Sequence, residues 1–223
     1  MIRLNEHQSA SLLRLPESGM GYQLVRAQYR RDPEKRAGLV LNAEVLLWPE
    51  DASLLRQWSF QTLLRRAETT LDYLGDFEVI PTRRLGMYPG LASLVRDQRA
   101  EGQGAAVDAP PTLSATGDVF KRFSAFENDH RVTSAFSLVE GSYATTEADS
   151  KYAPTGRAAV DRYALPNDDP AVFVFMVKPN TGTSKKVGLA QPNFGKPGGG
   201  VEVLFDAGTN SGSVSGPDQI PSG

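Results

Sequence analysis

Short runs with a period of two dominate the apolar pattern of this chain, and helical spacing is confined to a few segments. GYQLVRAQY and GLVLNAEVLLW are β-rich runs around the charged, proline-containing RRDPEKRA, which predicts a hairpin with a long loop. Ahead of them, NEHQSASLL predicts a short helix in which Asn5 and Gln8 form a capping box. EDASLLRQWSFQTLLRRAETTLDYL spaces Leu54, Leu55, Trp58, Leu63, Leu64, Leu71 and Leu74 as one amphipathic helix of several turns, capped by Asp51 or Ser53. DFEVIPTR predicts a further strand and GLASLVRDQR a short helix. Later, DVFKRFSAF, GSYATT and VEVLFD predict strands, GRAAVDRYAL a short helix, and PAVFVFMVKP a strand buried on both faces. Between the last two strands, KPNTGTSKKVGLAQPNFGKPGGG predicts an irregular loop, longer than structureless loops usually are.

Composition breaks at AEGQGAAVDAPPTLSATG, where alanine, glycine, proline and serine leave almost nothing to pack. This divides the chain into a small α+β domain over 1–98, a linker over 99–116 and a second domain over 117–223. No internal repeat relates the halves.

The 223 residues are enough for one large domain or two small ones. A formal charge of -2 gives no global attraction to nucleic acid, and none is expected as a partner. No apolar run approaches the roughly 20 residues of a membrane span. The start, MIRLNEHQSA, lacks the apolar stretch of a signal peptide, so the expected location is the cytoplasm, or export by a route that needs no such peptide. With 0 cysteines and only His7 and His130, thiolate chemistry is excluded and neither a metal site nor a prosthetic group is expected. Chemistry must run on carboxylates, arginines and hydroxyls.

The stretch FGKPGGGVEVLF places Glu202 inside a strand directly after three glycines. Such a residue is either an outward strand position or a carboxylate held rigidly at a cleft. Upstream stand Arg122 in VFKRFS, with Arg131 in reserve, and the hydroxyl pair Thr145 and Thr146 in GSYATT, which also suits a plain strand end. Arg162, Tyr163 and His130 read as structural or loop residues, and the pairs Arg30–Arg31, Arg65–Arg66 and Arg83–Arg84 as solvated faces.

Arginine, a hydroxyl-bearing strand, then glutamate after a glycine-rich loop resembles the order in the ADP-ribosyltransferase superfamily. GSYATTEAD, RYALPNDDPAVFVFMVKP and FGKPGGGVEVLF together resemble its NAD-glycohydrolase branch, related to the tuberculosis necrotizing toxin family. The likeness covers the second half only. Lys196 and Glu202 stand where that branch has glutamines. The resemblance implies an α+β, ADP-ribosyltransferase-like second domain of two packed sheets, with NAD+ as substrate. It makes Glu202 and Arg122 catalytic, with Arg122, Arg131, Tyr143, Thr145, Thr146, Phe194, Lys196, Gly199 and Gly200 around the substrate. Relatives that modify proteins orient the acceptor from the position that is Gly200 here, so water is the expected acceptor. A toxin or effector role follows, with an immunity or inhibitor protein as partner. The alternatives are ADP-ribose transfer to a macromolecule and a non-catalytic binding module on the same fold.

Overall fold

The computed structural model describes residues 1–80, 87–92 and 105–223. The chain is mixed α+β and is organised around two sheets. In the first half run β1 (Ile2–Arg3), α1 (Glu6–Leu13), β2 (Tyr22–Tyr29), β3 (Arg36–Leu41), β4 (Val45–Leu47), a 3₁₀ helix (Pro49–Arg56), α2 (Phe60–Arg66), β5 (Glu68–Thr69), β6 (Leu74–Val79) and α3 (Pro89–Ala92). Their strands form one sheet in the order β5-β1-β4-β3-β2-β6. The capping box at α1 is present, with the Gln8 N–H donating to Asn5 Oδ1 and the Asn5 N–H to Gln8 Oε1, both at 2.9 Å. β2 and β3 form the expected hairpin. β3 turns into β4 through Asn42 and Ala43, whose φ values of 48° and 52° give the handedness a tight hairpin turn needs. Alternate residues then face two cores. Leu24, Leu39, Leu41 and Leu47 pack with Phe60 and Leu63 of α2 on one side, and Val25, Val40 and Leu46 pack with Leu12 of α1 on the other.

The single long helix expected from Asp51 to Leu74 is instead a 3₁₀ helix, α2 and β5. Ser59 is extended (ψ 158°) and its hydroxyl accepts the Thr62 N–H, so a new helix starts there. Ala67 is extended as well (ψ 132°), and Glu68–Thr69 pair in parallel with β1. Sheet pairing overrides the helical spacing, and Leu71 ends fully exposed.

The second half runs through a one-turn 3₁₀ helix (Ala106–Asp108), β7 (Thr112–Leu113), β8 (Phe120–Ser124), β9 (Ser142–Thr146), α4 (Glu147–Ser150), α5 (Gly156–Arg162), β10 (Phe173–Val177), β11 (Ser184–Leu189), β12 (Val201–Phe205) and β13 (Val214–Gln219). The strands follow one another in the hydrogen-bonded order β13-β10-β8-β9-β12-β11-β7. β9 is the splice: Thr145 and Thr146 pair with β8, while Ser142 to Ala144 pair with β12. The loop expected between β10 and β12 contains β11, whose Lys186 to Leu189 pair with β12.

Of the stretch read as a linker, residues 99–104 lie outside the described residues. The remainder is held in place. Ala106 is fully buried, and Thr112 and Leu113 pair with Lys185 and Ser184. The helix expected in GLASLVRDQR begins within α3, and its remainder also lies outside the described residues.

The halves meet through buried contacts. The Phe60 and Phe126 rings pack 4.3 Å apart, and the Phe60 N–H donates to Asp169 Oδ2. Glu17, from the α1–β2 connection, enters the second half to pair with Arg122. Among the described residues no helix is long and apolar enough to cross a membrane.

Candidate functional site

Register decides which side chains share a face. Phe123 pairs with Val174, Lys121 with Thr145, and Tyr143 with Leu204. Side chains alternate along each strand, so Glu202, Leu204, Tyr143, Thr145, Lys121 and Phe123 point to one side. α5 packs there, through Ala159, Val160 and the neighbouring Tyr163. Phe120, Phe175, Val203 and Phe205 point to the other side.

Glu202 is partly buried on the first of these faces. Its Oε1 accepts the Ala106 N–H at 2.7 Å. Burial pushes its carboxyl up to about 7; the Ala106 N–H pulls down and the nearby charge of Asp108 pushes further up. Among the described residues no cation contributes to that balance, and the carboxylate is desolvated without an ion-pair partner among them. Such an arrangement costs stability and recurs at functional sites. Two phenols lie within reach of its charge. Burial first, and Glu202 second, raise both Tyr22 and Tyr143 above the ordinary tyrosine value. Tyr22 comes from the first half; its hydroxyl accepts from Asn193 Nδ2 at 3.4 Å and its ring meets Phe194 edge-on at 5.1 Å.

Arg122 does not join this group. It pairs with Phe175 across β8 and β10, which puts it on the opposite face from Glu202. Its side chain is wholly buried and all five of its N–H groups are taken. Nε donates to Asp129 Oδ2, Nη1 to Glu17 Oε2 and the Tyr143 carbonyl, and Nη2 to Glu17 Oε1 and Asp129 Oδ1. Burial alone would lower its pKa; the carboxylates of Asp129 and Glu17 more than offset this and leave it raised. Arg122 therefore has no donor for a phosphate, and the role expected of it is corrected: it joins the two halves. Arg131 belongs to the same interior, donating to the carbonyls of Glu140 and Leu15 at 3.2 and 2.9 Å.

The other expected residues divide between packing and the site. The Thr145 hydroxyl donates to the Val201 carbonyl at 2.6 Å, tying β9 to the residue before Glu202. Thr146 caps α4. Lys196 Nζ binds the Asn167 carbonyl and Asp168 Oδ1 at 3.1 and 3.0 Å, pinning the turn that carries Phe194.

The glycines serve the chain's own packing more than ligand approach. Gly198, Gly199 and Gly200 donate their N–H groups to the carbonyls of Asp161, Ala190 and Arg162. A Cβ at Gly200 would lie 2.6 Å from Tyr163 Cε1 and 2.8 Å from Arg162 Cγ. Gly200→Ala should therefore cost about 1–3 kcal/mol of stability, measured by urea denaturation. An unchanged midpoint would show that the turn can move aside. Gly199 has open space around it and a φ of 87°.

The structure adds residues that pattern reading had set aside. Asp149 accepts Nε and Nη2 of Arg162 at 2.9 and 2.5 Å, together with the Tyr163 hydroxyl at 3.1 Å. The Arg162 guanidinium is partly exposed and lies 4.9 Å from the Tyr152 ring. Arg162 thus puts a partly open cation next to the glycine turn, on the Glu202 side of the sheet. The segment RYALP carried that signal, but the pairing with Asp149 crosses 13 residues and needed the fold.

Two surface cavities, of about 550 and 720 Å³, flank Thr70–Asp72 on the first sheet, and neither is lined by Glu202. Comparison with protein-family models, curated proteins and solved structures finds no match to this chain. Among the described residues no group of three or more histidine, aspartate or glutamate side chains could hold a metal ion.

Proposed function

We propose that this protein cleaves NAD+ to nicotinamide and ADP-ribose, with Glu202 stabilising the oxocarbenium-like charge on the ribose. The observation that carries this reading is a desolvated carboxylate fixed on a strand, with no cation beside it among the described residues, next to a turn whose sequence resembles the NAD-glycohydrolase branch. A fixed negative charge in a poorly solvated niche gains most from positive charge that develops only in the transition state. Tyr22, whose phenol feels the Glu202 charge and whose ring meets Phe194, offers an apolar ring to the substrate, and Arg162 replaces Arg122 as the group that meets the pyrophosphate. Water as acceptor is favoured because Tyr163 and Arg162 fill the space that a side chain at Gly200 would need. A toxin or effector role with an immunity or inhibitor protein belongs to the same reading.

Nicotinamide release should rise with pH through about 7 as Glu202 loses its proton, and Glu202→Ala should abolish it in a protein that melts normally. Release that is independent of Glu202 rules the reading out. Labelled NAD+ that stays attached to protein would move the assignment from hydrolysis to transfer.

A further inference from the structure

The carboxylate on which the proposed chemistry rests is covered by a distant part of its own chain. The 3₁₀ helix Ala106–Asp108 packs over β11 and β12. Gly188 of β11 lies directly opposite Glu202 and contributes no side chain. Ala106 is fully buried and its N–H donates to Glu202 Oε1, while Lys186 Nζ reaches the Val107 carbonyl at 3.4 Å.

The outer side of the cover faces solvent, with Val107 42% exposed. Beyond Ala109, Pro110 and Pro111 form a stiff spacer. The strap's far end is anchored: two residue pairs join β7 to β11, Lys185 Nζ donates to the Leu113 carbonyl, and Ser114 bonds to Asn180 and Thr183, so any lifting pivots on that end. A ribose approaching Glu202 from the side of the strap meets Ala106, whose N–H already occupies one acceptor site of Oε1.

We propose that the strap Ala105–Ala109 is an autoinhibitory cover, holding Glu202 latent until it is lifted; this rests on the assignment of Glu202 as the catalytic carboxylate. The strap supplies a neutral N–H where the substrate's ribose would supply hydroxyls, and its removal exposes a carboxylate already fixed by β12. The cover and the substrate compete for the space at the same carboxylate.

Ala106→Pro tests this in the full chain. Ala105 is extended (φ -61°, ψ 153°), as a residue before proline must be, and the first position of a helical turn tolerates proline. The ring removes the N–H and occupies the place of the carboxylate oxygen. Two readouts are taken: labelling of Glu202 by a water-soluble carbodiimide, read by mass spectrometry, and nicotinamide release from NAD+. Both should rise, with release up about tenfold or more, the scale of one hydrogen bond to a charged group. Release by the wild type that does not increase on substitution overturns the strap alone, and a decrease shows that Ala106 positions Glu202. Release absent from both proteins overturns the NAD assignment, and the strap's regulatory role with it. Should Ala106→Pro fail to fold, Lys186→Met, which frees the Val107 carbonyl, is read in the same way and must raise both signals.

Discussion

Glu202→Gln should melt higher than the wild type at pH 8, melt with it at pH 4, and release nicotinamide about a hundredfold to a thousandfold more slowly. In the unfolded chain Glu202 loses its proton near the ordinary value of 4.5, whereas burial holds the proton until about 7 in the folded protein. Between those values the folded state binds a proton that the unfolded state has lost. This contribution to stability is fully present below 4.5 and is lost as pH rises through 7. Above that, the native state carries a desolvated carboxylate whose cost is about 3 kcal/mol at most. Glutamine removes the charge while its carbonyl can still accept the Ala106 N–H; its unmet amide N–H groups reduce the gain. A gain of about 2 kcal/mol corresponds to roughly 4–8 °C in a chain of this size. Calorimetric melting at the two pH values, beside the release assay, checks both parts. A loss of activity without a gain in stability at pH 8 would mean that Glu202 is well solvated in the native state.

Arg122→Met should cost about 3–5 kcal/mol, because it leaves two buried carboxylates facing each other. Among the described cations Glu17 and Asp129 would retain only Arg131, whose Nε is 3.7 Å from Glu17 Oε1. Arg122→Lys should also destabilise: lysine offers three donors where the arginine makes five hydrogen bonds. Since Glu17 belongs to the first half and Asp129 to the second, the loss should be felt by both sheets together. Trp48 and Trp58 report the first half by fluorescence, and far-ultraviolet circular dichroism reports both halves. In urea the two signals should shift to lower midpoint together. A drop under about 1 kcal/mol combined with lost NAD+ affinity would return Arg122 to the ligand-binding role suggested by its order in the chain. Replacing Glu17, Arg122 and Asp129 together by apolar residues should recover much of the loss, because the desolvation cost disappears with the charges.

Local signals determined much of the secondary structure. The capping box at Asn5 and Gln8, the alternation through Tyr22–Tyr29 and Arg36–Leu41, and the apolar run of β10 all act within a few residues. The glycines before Glu202 were equally legible as a turn, since they act through backbone freedom. Tertiary structure decided what those elements do. The spacing of Leu54 to Leu74 suits a helix, yet pairing between Glu68–Thr69 and β1 removes its end from the helix. Ser184–Leu189 looked irregular because its strand character is supplied by β12 and β7 as neighbours. Arg122 and Glu202 stand in the order expected for a shared site, but order along the chain does not state parity across paired strands. The register of β8, β9 and β12 sends their side chains to opposite faces. The contacts that define the carboxylate's surroundings, Ala106 across 96 residues and Tyr22 from the first half, are long-range. They arise from burial and chain crossing, which no local pattern encodes.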